Sequence, residues 1–201
     1  MKTLRRDVLG LLAAWLLAPS GAPAAAFDLA QLMALLAARK SGEANFSEQR
    51  FVQGLDAPLA ASGVLGFVAP DRLMRRTLQP RAEAMLVDGN TLTLTRNGRT
   101  RSFALDATPE MVALVEAMRG TLSGNASTLE RHFRIALDGD AQRWMLELTP
   151  LEDALARQVL SVRLGGRAGE LLSVELLLTG GDRSVMTIEP VRGATAAASA
   201  P

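Results

Sequence analysis

The 201 residues hold 22 Lys or Arg against 21 Asp or Glu, with one His and no Cys. So even a charge balance argues against nucleic acid or a strongly anionic membrane surface as the main partner, since both need a concentrated basic patch. The missing cysteines exclude disulfides and a lipid-modified N-terminal cysteine, so the fold must rest on its own core.

The chain opens with basic residues (Lys2, Arg5, Arg6), an apolar run from Val8 to Ala18, and Pro19-Ser20-Gly21. That is the order of a secretory signal peptide, with Ala24-Ala25-Ala26 offering a cleavage site before Phe27. The run falls short of the about 20 apolar residues that span a bilayer. Residues 1–26 are therefore expected to be removed and the remainder to work in the periplasm. Arg5-Arg6-Asp7-Val8-Leu9 is compatible with a twin-arginine route and equally with an ordinary leader. Residues 27–192 suit one domain. The small, featureless stretch 193–201 has no large apolar side chain to dock it and is expected to be disordered.

Between Asp28 and Lys40, Leu29, Leu32, Met33, Leu35 and Leu36 recur at helical spacing; Asp28 is placed to cap the start and Gly42 to stop it. The period then changes to two. Phe46, Glu48 and Arg50 alternate with Ser47, Gln49 and Phe51, and Ser62 to Val68 follows as a second strand. Arg72–Gln79 and Ala84–Val87 are strands, and Asp88-Gly89 closes a hairpin with Thr91–Arg96. Asn97-Gly98 closes another with Thr100–Leu105, which makes the first half an antiparallel meander. Thr108-Pro109-Glu110 starts a helix whose stripe of Met111, Leu114, Val115 and Met118 ends before Gly120. A shorter helix is predicted over Ser127–Phe133. Strands follow at Arg143–Leu148, Gln158–Leu164, Leu171–Leu178 and Ser184–Glu189, with Asp138-Gly139-Asp140, Gly165-Gly166 and Gly180-Gly181-Asp182 as connections. The predicted class is mainly β (α+β): a curved antiparallel sheet with few helices.

Catalytic chemistry finds little to stand on. A zinc or iron site would need carboxylates clustered at ligand spacing, and none appear, so neither metal nor cofactor is expected. His132 beside Phe133 reads as a structural or surface histidine in preference to a base. The Gly-x-Ser-x-Gly turn of a serine hydrolase is absent. Gly63-x-x-Gly66 lies within a strand pattern, where glycine marks a bulge or close packing and not a nucleotide loop. Glu152-Asp153 and Asp138 with Asp140 fall in turn-like segments. No catalytic residue is assigned, and an enzyme is not expected. The aliphatic supply is large against six Phe, two Trp and no Tyr. Met33, Met74, Met85, Met111, Met118, Met145 and Met186 can fill an ordinary core or line a cavity for a variable guest.

Phe46-Ser47-Glu48-Gln49 after a helix, Ser62-Gly63-Val64-Leu65-Gly66-Phe67-x-x-Pro70, Leu73 to Pro80 and Val87-Asp88-Gly89-Asn90-Thr91-Leu92 occur in one order at close spacing. This succession resembles the LolA-like periplasmic outer-membrane lipoprotein carriers over Leu29 to Leu94, and Trp144-x-Leu146-x-Leu148-Thr149-Pro150 fits more loosely. The resemblance implies an incomplete, strongly bent antiparallel barrel, its concave apolar face covered by helices that leave room for acyl chains. It implies a monomeric carrier that takes a lipoprotein or other lipid cargo from an inner-membrane exporter toward an outer-membrane acceptor. A sensor or binding module on the same fold, ferrying nothing, is the alternative.

Candidate wall residues are Leu65, Phe67, Leu73, Met74, Met85, Leu92, Leu94, Met111, Leu114, Val115 and Met118, with Asp28–Lys40 and Thr108–Arg119 as lid helices. Carriers of this kind commonly place an Arg, which helps latch the lid, before the proline that aligns with Pro70. This chain has Ala69 there, and Arg75 and Arg76 on the next strand. Alternation sends those two to opposite faces, so one can serve as an internal cation, or both can lie at the rim.

Overall fold

A computed structural model describes residues 27–107 and 109–191. The expected leader with its cleavage site, Thr108 as a helix start and the expected tail 193–201 lie outside these described residues. Helix α1 (Leu29–Ala37) begins where the sequence places it: Asp28 Oδ1 accepts from the Gln31 backbone N–H at 2.8 Å, and Gln31 returns its side-chain oxygen to the Asp28 N–H. This reciprocal cap satisfies two end groups that would otherwise lack partners. Leu32, Met33 and Leu36 are its buried stripe.

Eleven strands follow: β1 (Ser41–Phe51), β2 (Leu59–Val68), β3 (Arg72–Gln79), β4 (Glu83–Asp88), β5 (Thr91–Arg96), β6 (Arg99–Ala104), β7 (Phe133–Asp140), β8 (Arg143–Pro150), β9 (Val159–Arg167), β10 (Glu170–Leu178) and β11 (Arg183–Pro190). Helices α2 (Pro109–Ser123) and α3 (Ala126–His132) separate β6 from β7, and the short α4 (Asp153–Ala156) separates β8 from β9. All eleven strands form one sheet in the order β6-β5-β4-β3-β2-β1-β11-β10-β9-β8-β7. Every pairing is antiparallel, and the edges β6 and β7 do not meet. The two halves of the meander join where β1 pairs β11.

The strand pairing slips at register shifts, where a bulge bends and twists a strand. One lies between Ser62 and Gly63, where a Cβ on Gly63 would sit 2.0 Å from the Arg76 carbonyl oxygen; others lie at Leu171/Ser173 and Leu177/Leu178. The larger core joins α1, α2 and α3 to the second half of the sheet through Leu32, Ala113, Ala117, Leu129, Phe133, Trp144, Leu146, Leu148, Val162 and Leu164. A smaller one gathers Val87, Leu92, Leu105 and Val115.

Four local expectations are corrected. Gly42 does not end the helix; α1 stops at Ala37, and Gly42 lies inside β1. Gly120 does not end α2, because its missing side chain is a packing device: a Cβ there would meet Leu129 Cδ2 at 2.5 Å. Gly165 and Gly166 are inside β9, and the turn falls at Ala168-Gly169. Asp138-Gly139-Asp140 is the end of β7, a strand that the sequence reading did not resolve.

Candidate ligand-binding cavity

Strand alternation and register decide what the concave face presents. Leu65 pairs with Ala44 on one side and Arg75 on the other, and Arg75 pairs with Met85; Phe67 pairs with Leu73, and Leu73 with Val87. On the far side of β1 the same face carries Ile188 opposite Phe46, Met186 opposite Glu48, and Val174 opposite Met186. These rows surround a half-open cavity of about 310 Å³. Residues of β4 and β10 border it together. In a flat sheet those strands would lie ~24 Å apart, five spacings of about 4.8 Å, so the sheet wraps around the hollow.

Helix α2 roofs it with Met111, Leu114, Val115, Met118 and Leu122. Its small residues Ala113, Ala117 and Gly120 are buried on another side, where α2 touches α1 and α3. Of the two helices expected to act as lids, only α2 covers the cavity broadly. Helix α1 sends Leu32, Met33 and Leu36 into the larger core and reaches the cavity only through Arg39 just beyond its end.

The structure brings Leu65, Phe67, Leu73, Met74, Met85, Met111, Leu114, Val115 and Met118 to the cavity wall. It places Leu92 elsewhere, buried in the smaller core, and leaves Leu94 36% exposed on the strand beyond. The sequence reading missed the wall contributed by the second half: Leu171, Val174, Leu176, Leu178, Met186 and Ile188. Their period-two pattern was visible, but only the β1–β11 pairing shows that they face the first half.

One polar cluster interrupts this apolar lining. Arg75 points into the cavity and Arg76 lies exposed. The Arg75 guanidinium sits 4.5 Å from the Phe46 ring centroid and donates from Nη2 to Glu48 Oε2 at 2.5 Å. Ser184 Oγ donates to the other Glu48 oxygen at 2.5 Å. Burial pushes the Glu48 carboxyl upward, but the Arg75 charge, the hydrogen bonds from Ser184 and Arg75, and the Arg50 charge outweigh it and hold it below the usual carboxylate range. Glu48 is therefore ionised at neutral pH.

At the other end of the strands, Arg119 of α2 ties the roof to the sheet. It donates from Nε to the Asp71 carbonyl at 3.0 Å and from Nη2 to the Gly89 carbonyl, with Nη1 on Glu116 at 3.1 Å. Two of the carboxylates weighed earlier make local contacts. Asp140 accepts from the Gln142 and Arg143 backbone N–H groups in the β7–β8 turn, and Glu152 meets His132 Nδ1 at 3.0 Å. Among the described residues no three His, Cys, Asp or Glu side chains gather as a metal site would require, and no helix is long and apolar enough to cross a membrane.

A family model described as outer membrane lipoprotein carrier protein LolA-like matches residues 21–201. Solved structures similar to the chain include a LolA superfamily protein from Nitrosomonas europaea, 12% identical over 83% of this chain and 92% of that one, with a TM-score of 0.44. A putative outer membrane lipoprotein-sorting protein domain from Vibrio parahaemolyticus is 12% identical over 84% and 93%, with a TM-score of 0.40. The MucA/MucB complex of Pseudomonas aeruginosa matches at 15% identity over 85% of this chain and 59% of that one, with a TM-score of 0.41. No curated protein sequence matches. With the family model spanning nearly the whole chain, the protein belongs to the LolA-like family, as a divergent member.

Proposed function

We propose that the chain is a periplasmic carrier that shelters the acyl chain of a lipoprotein or another lipidic cargo between an inner-membrane exporter and an outer-membrane acceptor. The observation that supports this most is the half-open apolar cavity of about 310 Å³ roofed by α2. At ~30 Å³ for each water-sized group, it has room for about ten methylenes. Burying that length is worth roughly 0.8 kcal/mol per CH₂, about 8 kcal/mol before binding costs, enough to hold one alkyl tail out of water. A cargo with several tails needs α2 to move outward. Both helices contribute to the larger core, but only α2 covers the cavity broadly, so α2 is the element that has to yield.

Native mass spectrometry of protein recovered from the cell envelope tests the reading, followed by incubation with acceptor vesicles. Acyl species that co-purify and then pass to the vesicles are the expected result. A protein that binds no alkyl chain sinks the proposal, and one that binds a chain but never releases it is a binding module instead.

A further inference from the structure

A cavity serving only alkyl chains gains nothing from an arginine in its wall, because taking charge out of water costs several kcal/mol unless something compensates. Position 75 lies in register between Leu65 and Met85, where a leucine or methionine would continue the lining. Its arginine is only 22% exposed, against 14% for Glu48. In the cluster both oxygens of the carboxylate are engaged, while the cations keep unused donors. Glu48 uses one oxygen for Ser184 and the other for Arg75. Arg75 commits Nη2 to Glu48 and Nε to Thr77 Oγ1 at 3.4 Å, and its Nη1 has no hydrogen-bond partner among the described residues.

Arg50 lies two residues along the same face of β1, opposite Ser184 in register, and borders the cavity with no ion-pair partner among the described residues. It is near enough for its charge to act on Glu48. Arg183, which also borders the cavity here, is paired with Glu175 at 3.6 Å, so Arg50 and Arg75 against Glu48 leave this end with a net positive charge and unused N–H donors. The apolar side chains Met186 and Leu176 stand directly beside it, paired in register with Glu48 and Ser184.

Resting on the carrier reading, we infer that the cargo bears an anionic group, phosphate or carboxylate, next to its acyl chain, and that Arg50 and Arg75 receive that group at the Glu48 end of the cavity. Glu48 is a positioning residue: it holds the Arg75 fork over Phe46 and leaves Nη1 uncommitted.

Calorimetric titration of the whole chain with decanoate, decyl phosphate, decanol, decyltrimethylammonium and inorganic phosphate separates the possibilities. Decanoate and decyl phosphate should bind about tenfold tighter than decanol, as one charge-assisted hydrogen bond provides. Decyltrimethylammonium should bind more weakly still. Inorganic phosphate should not bind measurably, and binding as tight as that of decyl phosphate would mean a free-anion site and overturn the inference. Arg50→Gln, a change at an exposed position, should bring decanoate to within about twofold of decanol without affecting decanol. The double variant Glu48→Gln with Arg75→Gln, which removes the pair without stranding a charge, should do the same. Equal wild-type affinities for decanoate and decanol overturn the inference and leave the carrier reading intact, whereas failure of every decyl compound to bind overturns that reading itself.

Discussion

Arg119 on α2 donates to the carbonyl oxygen of Gly89, in the turn that joins β4 to β5, and a second donor of the same guanidinium reaches the Asp71 carbonyl. The roof of the cavity is thus pinned to main-chain acceptors on two adjacent hairpin turns, and no side-chain change in those turns can remove them. Ala69 occupies the position before Pro70 on the sheet side, and the cation at this contact belongs to the helix.

Removing the pin should loosen α2 selectively. Arg119→Ala should cost about 1–2 kcal/mol, the usual worth of hydrogen bonds to a charged group that is partly buried. Amide exchange should rise across residues 109–123 and remain unchanged in β8 and β9. Arg119→Lys, with a charge but no fork, should fall between the two. Exchange that rises equally throughout the sheet would show that Arg119 supports the whole fold and not the roof.

Glu48 should impose an acid limit on stability. Its carboxyl is held below the ordinary value of 4.5 in the folded chain, so the unfolded chain binds a proton first as pH falls. The stabilisation is complete above about that value and is lost as pH drops through the folded one. Arg75, Arg50 and Ser184 are the groups that face it. Urea unfolding between pH 7 and pH 3 should show the wild type losing more stability than Glu48→Gln over the acid limb. At pH 7 the variant should be less stable by about 2 kcal/mol, below the ~3–5 of a fully buried pair because both partners retain some exposure. Parallel curves for the two proteins would refute the assignment.

The hairpins were legible because their chemistry is local. Asn97 and Gly98 take positive φ values of 52° and 71°, and Arg96 pairs with Arg99 across them, as the two-residue signal requires. The α1 cap was legible for the same reason. Glycines misled wherever their purpose was tertiary: Gly120 makes way for Leu129, and Gly166 for Trp144. β7 was hidden because Phe133 directly follows the last turn of α3, although Phe133, Ile135 and Leu137 alternate in the strand manner. Half of the cavity wall could be listed from apolar positions on predicted strands. The other half could not, since nothing local announces that β11 returns to pair with β1.

Gly166 offers a direct check of that lesson. A Cβ there would lie 2.3 Å from Trp144 Cζ2 and 2.2 Å from the Glu170 carbonyl oxygen. Trp144 is 1% exposed and donates its indole N–H to the Ala168 carbonyl at 2.9 Å. Gly166→Ala should destabilise by about 1–3 kcal/mol, the usual range for overpacking, and should shift Trp144 fluorescence to the red. Trp144 fluorescence unchanged by the alanine would show that Gly166 does not make way for the indole.

Filling the cavity should separate binding from folding. Leu176 lies on the wall contributed by β10, in register with Ser184, and its side chain is only partly buried. Overpacking a full core costs about 1–3 kcal/mol, but Leu176→Trp adds its bulk to space that is already empty and half open. The melting temperature should therefore stay level or rise, because the indole covers apolar surface that water now touches. Decanol and decanoate should both lose most of their affinity, at least tenfold, since the added ring takes the volume of several methylenes. This pattern differs from that of Arg50→Gln, which should weaken decanoate alone. If Leu176→Trp folds normally and still binds decanol at full strength, the alkyl chain lies somewhere other than this hollow.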